Sequence, residues 1–225
     1  MIDLKDNYKK SNHNLSTENI IEIIKLLKDT YPDATCSLDF NSAFELGIAV
    51  MLSAQCTDER VNKTTPVIFQ NYNTPQDFID MDITTLEDLI HPCGFYKTKA
   101  KNIKGYSKRI LDEYNGNLPE NMEDLITLPD IGRKSANVIM LEAFNNPQGI
   151  AVDTHAKRIS NRLGISFESD ALKIEQDLLK IIPKEYYKDV NHLLVWHGRN
   201  ICNARNPKCN ECPVSKYCNY FNNSN

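Results

Sequence analysis

Apolar residues recur at helical spacing along nearly the whole chain, and no segment alternates apolar with polar as a strand does. That pattern restricts the chain to packed helices. Thr17 to Thr30 places Ile20, Ile21, Ile23, Ile24, Leu26 and Leu27 at helical positions. Ser42-x-x-Glu45 reads as a capping box opening an apolar helix through Ala54. Thr74-Pro75 sets a capping residue before a proline at the first helical position, and Thr84-x-x-Glu87 is a further cap signal. Tyr96 to Tyr114 reads as a long basic helix that Gly116 stops. A short helix over Met122 to Thr127 precedes one carrying Ala136, Ile139, Met140, Ala143 and Phe144. Others run from about Asp153 to Gly164, from Ala171 to Ile182 and from Tyr186 to Ile201. Pro66 falls inside a helical stretch and is expected to start, kink or split a helix there. The expected fold class is all-α.

At 225 residues, 41% hydrophobic and 25% charged, the chain can bury a real core, and its composition excludes disorder and collagen-like structure. The longest apolar run, Ile48 to Leu52, is too short to cross a bilayer, so no membrane partner is expected. Met1 to Asn14 is polar and lacks the apolar segment of a secretory signal; a cytoplasmic location is the expectation. The formal net charge of -4 hides an uneven distribution. Asp77 to Asp88 holds five acids and no base, whereas Lys97, Lys99, Lys101, Lys104, Lys108 and Arg109 follow with no acid among them. Further bases stand at Arg133, Lys134, Lys157, Arg158, Arg162, Arg199, Arg205 and Lys208. Such runs are ordinarily solvated helix faces; the alternative is a footprint for a polyanion. Composition alone favours the first.

Seven cysteines without a secretion signal argue against a disulfide framework. Cys36, Cys56 and Cys93 are scattered, but Cys202, Cys209, Cys212 and Cys218 form a C-x6-C-x2-C-x5-C tail. Loops this short close at little entropic cost, so four thiolates can converge on one centre. Structural zinc takes four thiolates, usually as two facing tight pairs. Here only Cys209 and Cys212 are tightly paired, and the wider asymmetric spacing favours a cubane iron–sulfur cluster over zinc.

Leu128-Pro129-Asp130-Ile131-Gly132-Arg133-Lys134-Ser135-Ala136 describes a tight turn between two helices. Unpaired amides at the second helix's start, backed by its dipole, suit a phosphate oxygen, though the string alone also fits an ordinary helical corner. Lys134 lies in that first turn, where the dipole and partial desolvation would both favour the neutral, nucleophilic amine; otherwise it is a solvated surface lysine. In Val152-Asp153-Thr154-His155, Asp153 is most simply an N-cap. A carboxylate near Lys134 would instead orient the amine, take its proton, or stabilise positive charge on a sugar.

These motifs in this order, together with L-S-A-Q-C-T-D at Leu52 to Asp58 and G-F-Y-K-T-K-A at Gly94 to Ala100, resemble endonuclease III, a family of helix-hairpin-helix DNA glycosylases. The resemblance runs from about Leu15 to Tyr220. It implies two helical lobes with the active site in the cleft: a helical barrel at 36–146 with the helix-hairpin-helix at about 122–141, and a discontinuous lobe of 1–35 plus 147–225 with the cluster loop at 202–218. It implies a structural 4Fe–4S cluster on Cys202, Cys209, Cys212 and Cys218. The implied substrate is double-stranded DNA with damaged bases or abasic sites, bound by a monomer that is nucleoid-associated if bacterial. The implied activity is removal of oxidised pyrimidines and nicking through a lysine Schiff base, with Lys134 and Asp153 catalytic. Gln55 would fill the vacated stack and Phe95 would wedge against the opposite strand. Ile131, Gly132 and Arg133 of the hairpin would bind backbone phosphate, and Arg205 and Lys208 would add phosphate contacts. Phe95 read alone is a core aromatic.

The family pattern usually has glycine where this chain has Asp130. Aspartate tolerates left-handed backbone, so the turn is expected to form, but its charge is expected to weaken DNA affinity. The adenine-mismatch glycosylases of the same superfamily lack the lysine. Two other classes remain open to the sequence: a non-catalytic DNA-binding module stapled by its metal, and a small electron carrier.

Overall fold

The computed structural model describes residues 15–223, so the polar segment Met1–Asn14 lies outside the described residues. Every regular element among the described residues is a helix. The chain divides into two compact units: residues up to Thr35 with Gly149 onward, and Cys36–Gln148.

The first unit begins with α1 (Thr17–Thr30), capped by Ser16 and Asn19 in a reciprocal box. Its buried face is Ile20, Ile23, Ile24 and Leu27.

The Cys36–Gln148 unit is built around α2 (Ala43–Ser53), where every residue from Phe44 to Leu52 is buried. A helix apolar on all sides has to be central. Around it stand α3 (Asp58–Phe69), α4 (Pro75–Asp80), α5 (Ile83–Ile90), α6 (Tyr96–Tyr114), α7 (Met122–Leu125) and α8 (Arg133–Glu142). The core joins Leu46, Ile48, Phe78, Leu86, Ile103 and Ile139. Tyr106 is fully buried and stacks on Phe44 at 5.5 Å between ring centroids. A Cβ on Gly47 would overlap the Tyr106 hydroxyl and lie 2.6 Å from its Cζ. Since the ring is fully buried, Gly47→Ala is expected to cost about 3 kcal/mol by overpacking, read as an earlier thermal transition.

Local expectations are narrowed at one point in this unit and altered at two. The helix at Pro66 is neither started nor split there; α3 runs through it unbroken, with Gln70 N donating to Pro66 O at 3.1 Å. Thr84 does not cap α5, because the Asp82 carboxylate, two residues earlier, accepts from the amides of both Thr84 and Thr85. Ser42 caps α2, but the Glu45 carboxylate turns to the Asn41 amide at 2.7 Å instead of closing a box on Ser42.

The first unit resumes with α9 (Thr154–Leu163), α10 (Ala171–Ile181), α11 (Tyr187–Asn200) and α12 (Asn219–Asn222). α11 packs on α1 and α9. Their core includes Ile150, Ile159, Leu163, Ile174, Leu193 and Leu194. No helix among the described residues is long and apolar enough to cross a membrane.

Candidate nucleic-acid interface and metal centre

The turn before α8 follows from its residue types. Ile131 N donates to Leu128 O at 3.1 Å, Pro129 occupies the second position, and Asp130 the third at φ 61°. A proline followed by a positive-φ residue is the arrangement of a type II turn. Asp130 thus adopts the left-handed backbone expected of it. Arg109 braces the approach by donating to Thr127 O at 2.5 Å. Gly132 then starts α8 with no side chain capping it, whereas Ser16, Ser42, Thr57, Thr74 and Asp153 cap theirs. The first hydrogen bond of α8 runs from Ala136 N to Gly132 O at 2.9 Å, and the amides ahead of it face the helix N-terminus. A Cβ on Gly132 would meet nothing within 4 Å.

Lys134 is the second residue of α8 and is exposed. The partial burial expected of it is not present, because Gly132 and Arg133 beside it are exposed as well. What remains is its place at the positive end of the helix. Asp153 is half-buried and caps α9, accepting from Ala156 N at 2.7 Å. Lys134 belongs to the Cys36–Gln148 unit and Asp153 to the other.

Six non-glycine described residues have positive φ: Gln55, Phe95, Asn115, Asp130, Asn145 and Asn206. Asparagine and aspartate accept this backbone readily; Gln55 and Phe95 do not. Both are exposed, and Phe95 presents 64% of its surface, so it is no core aromatic. The two loops meet at a residue that charge patterning had placed in a basic run. Lys99 is buried, and its ammonium donates to Leu52 O and Ala54 O at 2.8 Å each and to Cys93 O at 3.0 Å. Burial pushes its pKa down.

The rest of that run is mostly committed elsewhere. Lys104 caps the end of α4 through Phe78 O, Ile79 O and Met81 O. Lys108 pairs with Asp112 and Arg109 with Glu113 one turn on. Arg158 and Arg162 likewise face inward, onto the cysteine loop. Arg158 donates to Cys202 O at 2.9 Å, and Arg162 donates to Asn203 O at 2.8 Å and to Cys202 Sγ at 3.2 Å.

Cys202, Cys209, Cys212 and Cys218 line one cavity, whose other walls include Ile159, Leu163, Ile201 and Val214. Cys218 Sγ donates to Arg162 O at 3.3 Å, and Cys212 Sγ lies 3.6 Å from His197 Nε2. His197 is buried, with Nδ1 3.1 Å from the Tyr31 hydroxyl; burial and the Arg158 charge bring its pKa down to about 4, which keeps it neutral. Burial, and then the neighbouring thiolates, push the Cys212 thiol up to about 11. Among the described residues, no three His, Cys, Asp or Glu side chains are grouped to hold a single ion. Four thiols set around a shared apolar space suit a multi-iron group, in which each thiolate takes its own iron. Arg205 and Lys208 are exposed on the loop between Cys202 and Cys209, which Lys208 N closes on Ile201 O at 3.0 Å. Lys99, Arg158, Arg162 and His197 escape sequence reading because their partners lie far along the chain.

The model of the HhH-GPD superfamily base excision DNA repair proteins matches residues 48–184. The chain is 46% identical over 197 residues to the Endonuclease III of Synechocystis sp., covering 88% of this chain and 90% of that one. A solved non-covalent Endonuclease III–DNA complex superposes with a TM-score of 0.87 at 41% identity, over 92% of this chain and 97% of that one. A trapped Endonuclease III–DNA covalent intermediate, an estranged-adenine complex, gives 0.87 at 41% identity over 92% and 98%.

Proposed function

Since the chain belongs to the endonuclease III family of the HhH-GPD base excision repair superfamily, we propose that it is a bifunctional DNA glycosylase and class I abasic-site lyase acting on oxidised pyrimidines. The observation that carries this reading is Lys134: an exposed amine one residue inside α8, whose N-terminus has no side-chain cap and follows a tight turn, an arrangement that suits a DNA phosphate. Bound DNA, closing over the amine, supplies the desolvation that the protein alone does not.

The damaged nucleotide leaves the stack, with Gln55 filling the gap and Phe95 wedging the opposite strand. The neutral Lys134 amine attacks C1′, the glycosidic bond breaks, and the base departs with the electron pair and a proton. The sugar ring opens to an imine on Lys134. Loss of a C2′ proton then expels the 3′ phosphate, and water frees the lysine. Asp153 is assigned the carboxylate role, stabilising positive charge on the sugar and moving protons to and from the amine. Ile131, Gly132 and Arg133 bind phosphate at the hairpin, and Arg205 and Lys208 do so at the cysteine loop. The four tail cysteines hold a 4Fe–4S cluster in preference to zinc. That all four line one cavity supports a shared centre, and their asymmetric spacing supports the cluster. The cluster's contribution is to staple the loop that presents Arg205 and Lys208.

Duplexes carrying thymine glycol, an abasic site, an A·G mismatch or no lesion separate the classes when base release and nicking are scored apart. Release and nicking at thymine glycol, with nicking alone at the abasic site, support the proposal. Binding without either reaction would leave a DNA-binding module. The hairpin offers a second check. Asp130→Gly keeps the positive-φ backbone and removes an exposed carboxylate from the turn, so duplex affinity at low salt is expected to rise about threefold.

A further inference from the structure

Two loops of the Cys36–Gln148 unit each place a bulky residue in the left-handed region, and one buried cation joins them. Gln55 (φ 54°) directly follows Ala54, the C-cap of α2. Phe95 (φ 48°) follows Cys93 after a single glycine at φ 70°. The Lys99 ammonium donates to Leu52 O, Ala54 O and Cys93 O. An ammonium has three protons, and all three are used on carbonyls at the base of these loops. Lys99 N also donates to Phe95 O at 3.0 Å, so its own helix turn secures the second loop. No carboxylate is among its hydrogen-bonding partners. Beyond these carbonyls the Asp130 carboxylate favours its charge electrostatically, against the cost of burial. Strained backbone survives only where its surroundings over-determine it. The side chains at both strained positions are exposed.

We propose that Lys99 is a positioning residue that holds the Gln55 and Phe95 loops at a fixed separation and backbone conformation, and so controls insertion of both side chains into the DNA stack. This rests on the glycosylase reading above. Lys99 itself touches no reacting atom, and the bond-breaking step at Lys134 does not need it. The loss of Lys99 therefore falls on duplex opening and spares chemistry on a sugar that has no stack to leave.

The test compares the iron-loaded full chain with Lys99→Met and Lys99→Arg on two substrates. One is a thymine glycol duplex with 2-aminopurine beside the lesion; the other is a single-stranded oligonucleotide carrying an abasic site. Lys99→Met keeps the aliphatic stem and removes all three donors. It is expected to slow single-turnover base release from the duplex about a hundredfold and to abolish the 2-aminopurine signal, on the scale of an ångström-sized misplacement. Borohydride trapping on the single strand should stay within about twofold of wild type. Lys99→Arg keeps a cation and donors in the same pocket and should recover part of the duplex rate; it carries the same comparison where Lys99→Met does not fold. Equal losses on both substrates by a folded variant, or an unchanged duplex rate, overturn this inference and leave the glycosylase reading intact. A wild-type chain that neither releases base nor traps overturns both.

Discussion

Lys134→Gln is expected to retain duplex binding while losing base release and nicking by at least about a thousandfold, the scale of removing a covalent nucleophile. Glutamine matches the lysine roughly in polarity and length but has no basic nitrogen to attack C1′. The folding cost should be within about 0.5 kcal/mol, because the side chain is exposed and no packing is removed. The turn from Leu128 to Ile131 and the backbone at the start of α8 are unaltered, so the proposed phosphate binding is expected to persist. Single-turnover kinetics on thymine glycol duplex, beside a filter-binding isotherm, measures both. A parallel fall in affinity and rate would mean that Lys134 is a phosphate contact and that the chemistry lies elsewhere.

The second large effect concerns the tail. Cys212→Ala is expected to abolish iron and sulfide binding and to lower the melting temperature of its own unit by about 10 °C. Between Cys202 and Cys218 the chain has only two three-residue 3-10 turns, Cys209–Glu211 and Ser215–Tyr217. Val214 alone in that stretch is deeply buried, at 1% exposure, so little apolar packing would hold the loop without a metal centre. Arg205 and Lys208 would lose their frame. Loss of two phosphate contacts should reduce the slope of log affinity against log salt by about 2. Iron and sulfide analysis, a visible absorption spectrum and a salt titration of DNA binding check these outcomes together. A variant without iron and sulfide but with an unchanged salt slope would detach the cluster from DNA contact.

Most of the helical framework was legible because helix starts and stops are written within four residues. Thr74 and Asp153 cap as their residue types suggest, and α6 ends before Gly116, whose amide returns to Ile110 O. The all-α class follows from the same local signals. Thr84 misled because a threonine inside the first turn resembles a cap when a better acceptor, Asp82, sits two residues back. The hairpin turn was legible too, since proline followed by aspartate encodes its own dihedral angles. The αL backbone of Gln55 and Phe95 was not. Neither residue prefers it, and what enforces it is Lys99, 45 residues from Ala54 in the chain. Charge was the least readable property. Lys99, Lys104, Arg158 and Arg162 read in sequence as solvated helix faces, with a polyanion footprint as the alternative, yet each donates to carbonyls of its own unit.

The identity of the attacking nitrogen is open to direct measurement. Iron-loaded protein, reduced with borohydride on an abasic duplex, is digested and the oligonucleotide-bearing peptide sequenced by mass spectrometry. The sugar remnant is predicted on Nζ of Lys134. A remnant on any other amine, or no adduct from protein shown to contain its iron, would contradict the mechanism.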